Sequence, residues 1–226
     1  MLTEIGSSST SPGTIPRRLL GAGSLALGLL AATPATAQVE FAVEVFTGVA
    51  INFDTPLKLE QNGQPDIEFT ADYETRPFEQ PFYWAIRVGL RSPKSAWELQ
   101  LLHHKLYLTN PSDEVQSFDI THGFNILTVN YAREFRPVTL RAGAGVVLPH
   151  VTGTVRGKAY STEGGYEIGG PAFLLGAGNR WPIVAGLSFE AESQLTVGWV
   201  DVGVMDGRVK TSNVALHLWV GLGYAF

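Results

Sequence analysis

His103, Lys105 and Tyr107 stand on alternate residues of one stretch. In an extended backbone the three share a face. Together they offer a base that changes charge near neutral pH, a fixed cation and a phenol. Two further segments extend the set. Ile120 to Ala132 carries His122, Asn125 and Asn130, and Gly143 to Val151 carries Pro149 and His150. His103, His122 and His150 are nitrogen donors of the kind that hold a divalent metal, and the same residues would serve an acid–base pair. The chain has no cysteine, which excludes thiolate zinc sites, cysteine nucleophiles and disulfide frameworks. It has no H-E-x-x-H, G-x-S-x-G or P-loop motif, and Gly164, Gly165 and Tyr166 precede no helical pattern, so a nucleotide reading has no support.

The elements that must position these residues alternate with period two. Val39, Phe41, Val43, Val45, Val49, Ile51 and Phe53 are apolar, while Glu40, Glu44, Gly48 and Asn52 occupy the other parity. The pattern recurs over 82–90, 97–101, 127–135, 138–148, 173–181, 185–199 and 214–226, which predicts eight antiparallel strands, each with one apolar face. The second face carries Glu, Arg, Gln, His and much Gly. A water-soluble barrel would turn its apolar face inward. This chemistry instead suits lipid outside and a polar lumen within, which makes the expected fold an all-β, eight-stranded antiparallel transmembrane β-barrel of the outer-membrane type.

Connections agree with that reading. Those near 92–95, 133–137 and 182–184 are short, and those near 54–81, 109–122, 152–170 and 200–212 are long. The acidic stretch 54–81 suits a solvated loop, a divalent cation or a basic partner. Eight strands leave room only for side chains, which argues against a porin. Glu40, Glu44, Arg87, Arg141, Glu190, Glu192 and His217 are therefore expected to neutralise one another inside. The alternation breaks at Leu101 and Leu102, and a bulge there is expected to turn His103, Lys105 and Tyr107 toward the lumen near the long-loop rim. Pro149 must sit at a bulge or rim, which places His150 at that same end.

The chain has 226 residues, 16% of them charged, with a net charge of −5. That balance leaves no basic surface for a nucleic acid. Arg17 and Arg18 precede an apolar run from Leu19 to Ala32, and Ala35 and Ala37 satisfy the small-residue cleavage rule. Residues 1–37 therefore read as a signal peptide and 38–226 as the barrel, whose destination is the bacterial outer membrane. The chain ends on Phe226 inside an alternating strand, resembling the C-terminal signal read by the barrel assembly machinery during insertion. The expected oligomeric state is a monomer.

Leu102 to Tyr107, Ile120 to Asn130, Gly143 to Val151 and Tyr166 to Ala172 together resemble the lipid A oxidase family of outer-membrane barrels. The resemblance covers most of 97–172 and is looser in the last two strands. Leu102 stands where the family has Thr, His122 where Asp is usual, and Glu192 where Lys is expected.

The resemblance implies oxygen-dependent oxidation of the proximal glucosamine of lipid A to an aminogluconate unit, in the outer leaflet. It implies His103, Lys105, His122 and Glu190 as catalytic residues and Tyr107, Asn125, Asn130 and Arg141 as substrate-binding ones. Lipopolysaccharide would be the partner and O2 the co-substrate. Because side chains alone activate oxygen poorly, a divalent metal on His103 with His122 or His150 is the accompanying expectation. A His-x-Ser-Asn motif that would suggest lipid A deacylation is absent. A non-enzymatic barrel with a structural or surface-interaction role stays open beside the oxidase, because a fold does not set an activity.

Overall fold

The computed structural model describes residues 39–162 and 167–226. The signal-peptide segment 1–37 and the Gly164 to Tyr166 tripeptide lie outside the described residues. Strands β1 (Glu40–Phe53), β2 (Thr55–Gln61), β3 (Ile67–Ala71) and β4 (Tyr73–Glu74) open the fold. They are followed by β5 (Trp84–Ser92), β6 (Ser95–Leu108), β7 (Val115–Phe135), β8 (Val138–Pro149), β9 (Thr152–Val155) and β10 (Lys158–Ser161). Strands β11 (Gly170–Val184), β12 (Leu187–Val204) and β13 (Gly207–Ala225) complete it.

Eight of these strands pair antiparallel in the order β7, β8, β11, β12, β13, β1, β5, β6, and β6 pairs back onto β7 to close a ring. Closure leaves no free edge in the ring, which is what a bilayer demands of a sheet. The eight ring strands correspond to the eight alternating segments of the sequence. On the short-turn end the connections are Pro93–Lys94, Arg136–Pro137 and Ala185–Gly186.

The other end differs from the expected loops. The connection expected over 109–122 shrinks to 109–114, and that over 200–212 collapses to a turn at Met205 and Asp206. Here β12 and β13 stay paired from Leu187↔Tyr224 to Val204↔Gly207. Strand β2 continues the wall by pairing with β13, and β3 pairs with β2. The β9–β10 hairpin leaves β7 and crosses to the far wall. There Tyr160 Oη donates to Glu60 O (3.0 Å) and Arg208 O (2.7 Å), and Arg156 donates to Gln61 Oε1 (3.1 Å) and Pro65 O (2.8 Å).

Polarity changes sign along the barrel axis. In the ring the outward residues are apolar: Val45, Leu90, Trp97, Val129, Leu140, Leu175, Phe189 and Leu222 are all exposed. Inside the short-turn half lie Glu44, Glu98, Glu190 and Glu192 with Arg87, Arg91, Arg141 and Arg180. Arg87 donates to Glu44 (2.7 Å), Glu192 (3.1 Å) and Gln100 (2.9 Å). Arg141 joins Glu98 to Glu192, and Arg180 joins Glu190 (2.8 Å) to Glu44 (3.1 Å). Four carboxylates against four guanidiniums leave this layer neutral, as buried charge requires. At the long-loop end Leu57, Leu59, Val115, Phe118, Ile120, Val155, Tyr160, Val202 and Val209 are buried inside, so the interior there is an apolar plug of the soluble kind.

Two predictions follow from this layering. Glu192→Ala leaves Arg87 and Arg141 with unmatched buried charge, and the expected loss is about 3–5 kcal/mol, read from urea unfolding in lipid vesicles. A loss within about 1 kcal/mol would mean water already screens the lumen.

The second concerns acid. Glu60, outside the lipid-facing band, is held below its ordinary pKa by Lys210, which donates to it at 3.0 Å. A depressed carboxylate stabilises above its unfolded pKa, and that contribution is lost as pH falls through the folded value. Lys58, bonded first to Asp66 and then to Glu68, is raised, so its contribution is lost only in strong alkali. Amide protection factors over 207–211 are therefore expected to fall in acid while those of the ring strands hold; a uniform fall across both would contradict a locally titrating wall.

Candidate functional site at the long-loop rim

Where the outward apolar band ends on three neighbouring strands, one row of the sheet reads Trp84 on β5, His103 on β6, Asn125 on β7. All three face outward. On β6 the outward run is Trp97, Leu99, Leu101 and then His103, while Glu98, Gln100, Leu102 and His104 face the lumen. The alternation therefore does not break at Leu101 and Leu102. The expected turn of His103, Lys105 and Tyr107 into the lumen is corrected: these three face outward and His104 faces inward. Leu102 is apolar and still inward because it meets the plug above the ionic layer.

The irregularity lies instead on β7. His104 pairs with Phe124 and Leu106 with Ile120, so extra β7 residues are accommodated between them. Gly123 there has φ +131°, a conformation side chains resist. This irregularity carries His122, which is exposed and packs edge-to-face on His150 at 5.5 Å between ring centres.

His103 is stacked on the Trp84 ring (5.5 Å) and only 8% exposed. Its Nδ1 donates to Asn125 Oδ1 at 2.7 Å, which leaves the lone pair on Nε2. That nitrogen is buried and has no hydrogen-bond partner among the described residues. Lys105, two residues further from the apolar band on the same face, donates from Nζ to Arg76 O (2.6 Å) and Glu79 O (2.8 Å). Tyr107 lies under the Arg76 guanidinium at 4.4 Å.

The remaining expected site residues lie elsewhere. Arg141 and Glu190 belong to the ionic layer of the lumen, where each is bonded to other side chains of that layer. Asn130 is buried in the lumen against Gly143, and neither amide atom has a partner among the described residues. The structure thus brings together His103, Asn125 and Lys105, sets the His122 and His150 pair on the adjoining strands, and separates Asn130, Arg141 and Glu190 from them. Among the described residues no three His, Asp or Glu side chains are placed to hold a metal ion. The expected metal on His103 with His122 or His150 is therefore not supported by the donors present.

A second polar cluster fills the lumen between the ionic layer and the plug, and His217, expected among the mutually neutralising charges, belongs to it instead, bonded to two hydroxyls. Tyr83 enters from the β4–β5 connection, stacks on Trp219 at 4.6 Å and bonds His217 Nδ1; Thr196 bonds the other nitrogen at 2.7 Å. Asn52 joins His104, Asn213 and Thr75 at 2.9–3.0 Å. Parity was the available signal: Asn52 and His217 stand on the polar face of their strands, and His104 shares the parity of Glu98 and Gln100.

A closed ring, greasy outside and charged inside, defines the class: this chain is an outer-membrane β-barrel, with its short turns on the periplasmic side and its long connections outside. No protein-family model and no curated protein matches it. Among solved structures it is similar to neisserial surface protein A, at 11% identity over 84% of this chain and 99% of that one, with a TM-score of 0.42. It is also similar to the outer membrane protein AlkL, at 11% identity over 99% and 97%, TM-score 0.45. The attachment invasion locus protein Ail of Yersinia pestis is 10% identical over 83% and 97%, TM-score 0.34. The assignment of the fold rests on the strand pairing of this chain itself.

The two histidine groups differ in what they support. His217→Ala removes partners from the buried Tyr83 and Thr196 hydroxyls and is expected to cost about 2–5 kcal/mol by urea unfolding, whereas His103→Ala is expected to cost about 1 kcal/mol or less. The reverse order would make His103 the structural residue.

Proposed function

We propose that this barrel modifies lipid A in the outer leaflet, with His103 as the base. The observation that carries the reading is the oriented imidazole: Nδ1–H donates to Asn125 Oδ1, which leaves the lone pair on Nε2, a buried nitrogen with no partner among the described residues, in the row where the lipid-facing band ends. A base for a lipid-borne sugar hydroxyl needs that protonation state and that depth. Asn125 is then a positioning residue, and His122 with His150 lies beside it, on β7 and just beyond the end of β8, where a sugar–phosphate headgroup would extend. Lys105 is occupied by two backbone carbonyls, so its role is to hold the wall of the site.

The finer assignment, oxygen-dependent oxidation of the proximal glucosamine, rests on the resemblance of residues 97–172 to the lipid A oxidases. Lipopolysaccharide as partner and monomeric insertion by the barrel assembly machinery belong to the same proposal. A second reading, a non-enzymatic surface barrel, is favoured by one observation: Arg141 and Glu190 are bound within the lumen and take no part in the rim.

Mass spectrometry of lipid A from outer membranes carrying the wild-type barrel, His103→Ala or no barrel, grown with and without oxygen, separates the two. The oxidase assignment expects a gain of one oxygen atom that needs both His103 and air. A different change in lipid A that needs His103 would keep the enzyme and discard the oxidation. Lipid A unchanged by an abundant wild-type barrel would leave the surface role.

A further inference from the structure

Between β4 and β5 the chain leaves the barrel wall and returns to it. Thr75 points inward and accepts from Asn52 (2.9 Å), and Tyr83 points inward onto Trp219. The intervening residues 76–82 emerge on the outer surface of β6, where the Lys105 ammonium binds Arg76 O and Glu79 O. Two backbone bonds close the loop on itself, Glu79 N to Arg76 O (3.3 Å) and Tyr83 N to Pro77 O (3.1 Å).

A loop pinned at both ends and caged round a lysine is a built structure, yet it exposes Phe78 by 74% and Phe82 by 56%. Those values are as high as those of lipid-facing side chains of the ring such as Trp97 (62%) and Leu175 (60%). Phe82 lies two residues from Trp84, within ~7 Å of the row at which the apolar band ends. Large aromatic side chains left in water next to a bilayer are unfavourable, and burying them in the interfacial region is favourable in proportion to the apolar area removed from water. The apolar surface of the barrel is thus continuous from Trp84 onto the loop.

We propose that loop 76–82 is a lipid-surface anchor, seated in the outer leaflet through Phe78 and Phe82 and held in its seated shape by Lys105. The partner is the bilayer surface itself. Anchoring would set the height of the leaflet against the Trp84, His103 and Asn125 row. It stands apart from the lipid A chemistry and holds for a catalytic or a non-catalytic barrel.

The test uses the absence of native cysteine. Phe78→Cys, Phe82→Cys and, as an aqueous reference, Asn62→Cys are each labelled with an environment-sensitive fluorophore. The folded barrels are reconstituted in phosphatidylcholine vesicles containing lipids spin-labelled at shallow or deep acyl positions. Labels at 78 and 82 are expected to emit to the blue of the label at 62 and to be quenched by the shallow spin label about twofold or more over the deep one, with aqueous iodide having little effect. Iodide quenching at 78 and 82 equal to that at 62 would overturn the anchor. Lys105→Met, in a barrel that keeps its strand circular dichroism, is expected to lower the lipid quenching at 78 about twofold. Unchanged quenching there would remove Lys105 from the device.

Discussion

The neutral layer of four carboxylates and four guanidiniums in the periplasmic half of the lumen is the constraint on which the other features depend. Six strands contribute to it, so the ring must close in one register for the charges to meet. A slip of one residue between two strands would send Arg87 or Glu192 into lipid and bring a neighbour such as Val88 or Ala191 inside. Burying a charge without its partner costs several kcal/mol, which makes the layer a check on register more than a source of net stability. Its side chains also fill the lumen at this level.

Above that layer the rules change because the solvent changes. Within the bilayer the outward face must be apolar, and the inside can be polar. Beyond it the wall stands in water on its outer side, and the same parity in β12 that puts Gln194 in the lumen then puts Val200, Val202 and Val204 there. The wall extends as hairpins, and β9–β10 crosses to the opposite side, because strands that keep pairing satisfy their backbone and build an apolar core at once. The polar His104, His217 and Tyr83 cluster marks the transition between the two regimes.

The rim site is a product of the same boundary. Outward residues are apolar up to Leu101 and polar from His103, and a hydrogen-bonded imidazole is tolerated there because headgroups replace acyl chains. Trp84 covers one face of the ring and Asn125 fixes its tautomer. The loop that follows β4 lies against the next residue on this face, Lys105. Three adjoining strands and one connection thus converge where the outward face changes from apolar to polar.

Much of this was legible in the sequence. Period-two alternation with charge on the second face determined the eight ring strands, the barrel and the side that meets lipid, because parity is a local property of the chain. Parity also placed Glu44, Arg87, Arg141, Glu190 and Glu192 inside. It misled at Leu102, where an inward leucine looked like a break; only the plug above explains it. The facing of His103, the irregularity at Gly123 that sets His122 beside His150, and the hold of Lys105 on residues 76 and 79 were decided by tertiary structure. Each depends on which strands are neighbours and at what height the surroundings change from lipid to water, and neither quantity is local to the residues concerned.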